Sequence, residues 1–136
     1  MRHVVAGLMA CAALAACAQA QPPLPAAPKL AAIADAEPDV TQQVSAFLGN
    51  AGQGMFATEQ LSDNGRAAMT AEKMRATSAL LAPCGIRPAL ELLARTTKGE
   101  DRQYQYRAPC GGKALLVEID FNKGAKINRL VVEPER

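Results

Sequence analysis

Apolar side chains in the middle of the chain recur at the three- and four-residue spacing of amphipathic helices. The first such stripe follows Asp39 and consists of Val40, Val44, Phe47 and Leu48. A shorter helical stretch that contains Met55, Phe56 and Leu61 comes next, and turn-forming residues at 63–65 are expected to interrupt it before 66–69. Thr70 is suited to cap a third helix that ends before Pro83. The pattern therefore predicts two well-defined helices with a weaker helical stretch between them.

Beyond Gly85 the apolar period changes from the helical value to two, which indicates β-strands. The alternating segments cover residues 88–97, 102–110, 113–121 and 126–133. Short turns containing glycine separate them, as expected for an antiparallel meander. Helices followed by such a meander predict an α+β domain over 38–136, in which the apolar face of the sheet covers the helices.

The turns between the strands predict which side chains share a face. A two-residue Gly-Gly loop between the second and third strands sets Tyr106 opposite Val117, with Tyr104 on the same face. A four-residue loop between the third and fourth strands would set Val117 opposite Leu130, and would leave Glu118 on the other face. We interpret the face of the two tyrosines as the core face.

The first twenty residues have the pattern of a secretory leader, because Arg2 precedes an apolar stretch over 4–16. This stretch is too short to span a bilayer. It ends in Leu-Ala-Ala-Cys17, which resembles the bacterial lipobox and implies a diacylglyceryl group on the Cys17 thiol. The alternative is cleavage after the A-x-A pattern at 18–20, which would release a soluble protein that begins at Gln21.

The prolines and alanines that follow predict a tether rather than a regular helix. We therefore divide the chain into a lipoprotein signal peptide over 1–16, a lipidated cysteine and tether over 17–37, and the folded domain over 38–136. The expected location is the periplasm, with the lipid anchored in a membrane. By resemblance to enterobacterial sorting, the outer membrane is favoured over the inner one, because no aspartate follows Cys17.

Charge and composition exclude several kinds of function. The chain has 15 basic and 13 acidic residues, and the basic ones are scattered, so we expect no binding of nucleic acid. The one histidine, His3, lies in the predicted leader, which leaves the mature protein without a histidine base or zinc ligand. We expect no cofactor and no metal.

Export also predicts a disulfide, because paired thiols are oxidised outside the cytoplasm. Cys84 and Cys110 are the two cysteines that remain after the leader and the anchor. If the first two strands pair around 98–100, Cys110 lies opposite Pro88 and within reach of Cys84. A bridge would close a loop of about 25 residues and contribute roughly 3 kcal/mol.

The order of elements, and the strand segments ALELLARTT, RQYQYRAPC, ALLVEIDF and GAKINRLVVEP, carry a family resemblance. They resemble the nuclear-transport-factor-2-like, or cystatin-like, superfamily, and in particular the small domain often fused ahead of bacterial serine hydrolases. The last hairpin shares that domain's pattern of Asp120, Gly124, Lys126, Ile127 and Pro134. The resemblance implies a curved sheet wrapped around the helices as a cone.

Enzymes of this superfamily place a carboxylate, often with a tyrosine, inside the cone. The strand candidates are Glu91, Glu118 and Asp120. The predicted register directs Glu118 and Asp120 away from the tyrosines and leaves the side of Glu91 open, so a catalytic pair is not favoured. The aromatic residues could instead line a ligand pocket. They are Phe47, Phe56, Tyr104, Tyr106 and Phe121.

These observations favour a non-catalytic, lipid-anchored envelope protein whose domain binds a small hydrophobic ligand or another envelope protein. One alternative is a pocket enzyme of the isomerase or cyclase kind. A second alternative, implied by the family resemblance, is an accessory domain that assists a separate serine hydrolase.

Overall fold

The computed structural model describes residues 29–136, and the predicted leader and Cys17 lie outside this range. The described chain is an α+β domain in which helices precede a four-stranded antiparallel sheet that is not closed. Its helices are α1 (Pro38–Gly52), α2 (Asp63–Ala68) and α3 (Ala71–Leu81). Its strands are β1 (Glu91–Lys98), β2 (Asp101–Cys110), β3 (Lys113–Phe121) and β4 (Ile127–Pro134). The strands neighbour one another in chain order, which confirms the predicted meander.

The helices α2 and α3 begin at capping side chains, and the start of α2 differs from the predicted one. Thr70 Oγ1 accepts a hydrogen bond from the Lys73 amide and starts α3 as predicted. The Ser62 hydroxyl likewise accepts from the Gly65 amide at 2.9 Å. Residues 63–65 therefore begin α2 instead of interrupting a helix. The stretch before them forms only a 3-10 turn over Thr58–Gln60.

The second hairpin has the predicted register, and the third does not. Gly111 and Gly112 adopt positive φ angles of 58° and 84° and set Tyr106 opposite Val117. Between β3 and β4, however, Val117 lies opposite Val132 and not Leu130. The turn is one residue longer than predicted, and a register shift beside Asp120 adds a second residue. From Arg129 onward the total slip is two residues, so these side chains keep their predicted face, whereas Ile127 lies opposite Phe121 on the core face and is buried.

A bulge in β1 accounts for its apolar character on both faces. The pairing of β1 with β2 shifts between Leu92 and Ala94, and the consecutive residues Leu92 and Leu93 are both buried. Glu91, whose side the sequence left open, lies opposite Arg107 on the outer face. The hairpin loop has two residues rather than the three that were predicted, since Lys98 pairs with Asp101.

The core lies between α1, the end of α3 and the inner face of the sheet. Its most deeply buried large side chains are Val44, Leu48, Leu81, Tyr106, Val117 and Ile119. In the described range, no helix is long and apolar enough to cross a membrane.

Residues 29–37, which the sequence analysis assigns to the tether, lie against the sheet. The Ile33 amide donates to the Leu92 carbonyl at 2.8 Å, and the Leu30 carbonyl accepts from Arg107 at 2.8 Å. The prolines that favour a tether end at Pro28, so nothing in this segment prevents backbone pairing.

Candidate functional site

The aromatic residues predicted to line a pocket pack mainly against one another. Tyr104, Tyr106, Phe47 and Phe121 are each no more than 2% exposed. The tyrosine rings stack with centroids 6.1 Å apart, and Phe121 meets Tyr104 edge-on at 5.8 Å. Phe56 contacts Phe47 edge-on at 6.3 Å but is only partly buried. Four of the five side chains thus fill the interior, and Phe56 reaches the surface.

A carboxylate does meet a core tyrosine, but it belongs to Glu37, which precedes α1 and does not lie on a strand. The Tyr104 hydroxyl donates to Glu37 Oε2 at 3.0 Å. The same carboxylate accepts from Arg95 Nε and lies 3.9 Å from Arg102 Nη1. The hydrogen bond from Arg95 holds the pKa of Glu37 below its usual range, and burial opposes this only in part.

This arrangement suits an ion-paired anchor better than a catalytic base. A general base near neutral pH needs a raised carboxyl pKa and a free lone pair. Glu37 has a lowered pKa, and it precedes α1, so its contacts join that helix to β1 and β2. In the sequence, the one feature that marks Glu37 is its position directly before Pro38, at the start of a predicted helix. The 67-residue separation from Tyr104 hid the contact itself.

A second chain of hydrogen bonds reaches the other tyrosine. The Thr41 hydroxyl donates to Asp35 at 2.6 Å and lies 3.1 Å from the Tyr106 hydroxyl. Burial raises the pKa of Tyr106 to about 12. Burial also raises the pKa of Tyr104, with a further contribution from the hydrogen bond to Glu37. Both phenols are therefore neutral groups that hold the start of α1 on the sheet.

The strand carboxylates lie on the opposite face from the tyrosines, as the predicted register required. Asp120 accepts from Gln103 at 3.3 Å and lies 3.9 Å from Arg129. Glu118 pairs with the same Arg129 at 3.0 Å. These carboxylates and the tyrosine hydroxyls do not converge on one site.

Arg107 is the centre of a second polar cluster on the outer face. Its guanidinium donates to Glu135 at 2.5 Å, to Glu91 at 3.1 Å and to the Leu30 carbonyl at 2.8 Å. The hydrogen bond from Arg107 lowers the pKa of Glu135. The Arg107 side chain thus joins β1, β2 and the two ends of the described chain. Its hydrogen-bond donors stabilise the fold and are not directed at a ligand site.

Cys84 and Cys110 form the predicted disulfide, with Cα atoms 4.2 Å apart. The bridge joins the turn after α3 to the last residue of β2. Gly111 lies close by, since a Cβ built there would meet the Pro83 ring at 3.7 Å. This end of the domain is therefore covalently closed.

An apolar groove opens on the outside of the helical layer. It lies between α3 and residues 54–58 and has a volume of about 580 Å³. Apolar atoms are supplied by Gly54, Phe56, Ala71, Met74, Ala79 and Ala82. Arg75 is the one charged residue of its lining, and it forms no ion pair with residues 29–136. Periodicity could not reveal this groove, because an alanine at a helix surface carries no signal of its own.

Within residues 29–136, no group of three or more histidine, cysteine or acidic side chains could hold a metal ion. Comparisons with protein-family models, with curated proteins and with solved structures found no match to this chain. The candidate site is the external groove, because its lining is mostly apolar and contains one charged side chain, that of Arg75.

Proposed function

We propose that this protein is a non-catalytic, lipid-anchored envelope protein that binds a small hydrophobic ligand carrying an acidic group. The binding site is the groove between α3 and residues 54–58. The fold is of the nuclear-transport-factor-2-like kind, with the ligand outside the filled core. The lipid on Cys17 holds the domain at the periplasmic side of a membrane.

The composition and size of the groove carry this proposal. Ligand sites are typically concave, mostly apolar and about 300–1,000 Å³ in volume, with a few polar groups that orient the ligand. A groove of about 580 Å³ lined by small apolar residues falls within that range. Met74 and the neighbouring Met55, which is 55% exposed, supply flexible and polarizable surface for an apolar chain.

The presence of Arg75 in the lining is the reason to expect an acidic group on the ligand. Arg75 lines the groove and forms no ion pair with residues 29–136, and a guanidinium presents donors in a geometry that suits a carboxylate or a phosphate. A long-chain fatty acid combines both features and serves as the test ligand.

The weak burial of α3 is a further argument for this site. Leu81 is the one fully buried residue of this eleven-residue helix. Ala71 and Ala79 of α3 are exposed and line the groove, and exposed apolar surface is commonly a binding site.

Displacement of a fluorescent anionic probe by oleate from the purified full-length chain tests the proposal. Ala79→Phe fills the groove and is expected to weaken oleate binding at least about tenfold. Ala76→Phe adds the same ring to an exposed α3 position outside the groove lining and is the matched control. Arg75→Ala should weaken binding of oleate but not of oleyl alcohol.

Three results would contradict the proposal. Equal binding by the two phenylalanine variants would assign the ligand to another site, and isomerisation of a ketosteroid by the chain would contradict the non-catalytic part.

For the anchor, Cys17→Ala is expected to move the protein from the membrane fraction to the soluble fraction. A mature protein that starts at unmodified Gln21 in mass spectrometry would contradict lipidation.

A further inference from the structure

The sheet has an edge that the described chain pairs only at its start. Sheet order places β4 at this edge, with β3 as its neighbouring strand. At the start of β4, the Ser62 amide donates to the Ile127 carbonyl at 2.9 Å, and Leu61 forms a single bridge there. Along 129–134, no other backbone group of residues 29–136 bonds to the outer side of the strand. An unpaired edge of this kind is a template for another strand.

Helix α2 closes only the start of this edge, where a Cβ at Gly65 would lie 2.3 Å from the Ile127 carbonyl oxygen. A cavity of about 200 Å³ runs beside it, between Leu130 and Val131 of β4 and Met69 and Lys73 of the helical layer. A larger cavity of about 490 Å³ adjoins the far end of the strand at Pro134. The first cavity leaves space beside Leu130 and Val131, whereas the second lies toward β3 and the end of α3.

The sequence of the edge strand is complementary to itself. In Arg129-Leu-Val131-Val-Glu133, opposite charges stand two residues on either side of Val131. Antiparallel pairing about a two-fold axis at Val131 sets each Arg129 opposite Glu133 of the second copy. Cross-strand pairs of opposite charge stabilise a sheet, and like charges directly opposite destabilise it.

Both charged groups have capacity for a new contact. Glu133 is exposed and forms no ion pair with residues 29–136. Arg129 uses only Nη1 for Glu118 and Asp120, and its side chain is 51% exposed. Its Nη2 and Nε therefore remain as donors within the described chain.

We propose that two copies of this chain pair antiparallel through β4, about a two-fold axis at Val131, to form one continuous eight-stranded sheet. The helical layers of both copies then lie on the same side of the joined sheet, with their grooves also on that side. This interaction is independent of ligand binding in the groove.

Cysteine cross-linking of the full-length chain tests the register directly. Residues opposite each other in an antiparallel pair have Cα atoms about 4.5–5.5 Å apart, which suits a disulfide. Val131→Cys should therefore give a cross-linked dimer on a non-reducing gel after mild oxidation. Thr96→Cys, an exposed position on the opposite edge strand β1, is the matched control and should give none above the unsubstituted chain.

Charge exchange provides a second test, by sedimentation over a range of concentrations. Glu133→Arg sets arginine against Arg129 of the second copy and should raise the dimer dissociation constant about tenfold or more. An equimolar mixture of Glu133→Arg and Arg129→Glu chains should restore dimers, since both pairs then have opposite charges. Arg129→Glu also faces Glu118 in its own chain, so circular dichroism must first show that this variant is folded.

Two outcomes would overturn the proposal. One is cross-linking of Val131→Cys that is no stronger than that of Thr96→Cys. The other is dimerisation of Glu133→Arg with unchanged affinity, which would assign the contact to another surface.

Discussion

The two edges of the sheet differ in how the chain treats them. At β1, residues 29–37 lie along the edge, with Ile33 bonded to Leu92 and Glu37 bonded to Arg95. At the outer side of β4, residues 61 and 62 contact Ile127, and the described chain then turns away from the strand. Each edge thus receives one backbone hydrogen bond from the described chain, but only the β1 edge is also held by a side chain, the Glu37 carboxylate.

The difference shows that edge protection here depends on the chain before α1. Unpaired edges invite association, and natural proteins block them with charges, prolines, bulges or covering segments. The β1 edge has both a covering segment and a bulge beside Leu93. The β4 edge has charges, but Arg129 and Glu133 have opposite signs and stand in a symmetric arrangement. These charges disfavour strand pairings that set like charges opposite each other, and they favour the antiparallel pairing that sets Arg129 opposite Glu133.

The largest expected effect concerns the segment that leads into β1. A Cβ at Gly49 of α1 would lie 1.7 Å from the Ile86 carbonyl oxygen, so α1 and this segment can approach only at glycine. Gly49→Ala should lower the free energy of unfolding by more than about 3 kcal/mol, measured by urea denaturation. It would separate α1 from the β1 side of the sheet.

Gly124→Ala, in the turn before β4, is the control for this substitution. A Cβ there meets only Asn122 Oδ1, at 3.5 Å, and a change within about 0.5 kcal/mol is expected. Equal effects at the two glycines would show that the approach of α1 to Ile86 is not the limiting contact.

The disulfide holds the same side of the domain. Cys84→Ser and Cys110→Ser should each reduce the free energy of unfolding by about 3 kcal/mol under oxidising conditions. The double variant should be no less stable than either single one, because both remove the same bridge. Peptide mapping that finds these two thiols free in the unreduced protein would contradict the bridge.

The tyrosines predict a loss of stability at alkaline pH. The chain has two tyrosines, so absorbance of tyrosinate reports on these two alone. Because the folded pKa of Tyr106 is about 12 and the unfolded value is about 10, its contribution is complete below pH 10 and is lost as the pH rises toward 12. The expected loss is about 2 to 3 kcal/mol. Two tyrosines that titrate near pH 10 in the folded protein would contradict their burial.

A smaller effect is expected for Glu37, which fastens the covering segment at the β1 edge. Its pKa is lowered in the folded state, so its contribution is present above the usual carboxyl pKa and is lost as the pH falls through the folded value. Glu37→Gln should unfold at a lower temperature than the unsubstituted chain at pH 7, and the difference should shrink toward pH 3. Glu72→Gln, at an exposed position of α3, is the control and should leave the unfolding temperature unchanged both at pH 7 and at pH 3.

The smallest effect compares the two edges directly by hydrogen exchange. Amides of 129–133 that point away from β3 should exchange quickly at low protein concentration and more slowly as the concentration rises. The β1 amides should show no such dependence. A concentration dependence shared by both edges would remove the distinction between them.

Local pattern was sufficient for the sheet and the disulfide. Alternation gave each strand within a few residues, and Gly111-Gly112 required a tight turn that set Tyr106 against Val117. The slip at β4 arose because the turn after Phe121 contains five residues, closed by Asn122 and Lys126, and because a shift beside Asp120 adds one more. The side-chain bond within the turn leaves no trace in the apolar period, and the single break that a bulge makes in the alternation does not fix a register.

By itself, the sequence determined the α+β order, the core face of the strands and the pairing of Cys84 with Cys110, because each depends on residues close in the chain or on simple count. Only the tertiary structure decided that Glu37 meets Tyr104, that α3 leaves a groove beside Met74, and that residues 29–136 leave most of the outer edge of β4 unpaired. These features depend on how packed elements meet across many residues. Packing of that kind is set by the shapes and volumes of neighbouring side chains, which leave no periodic signal along the chain.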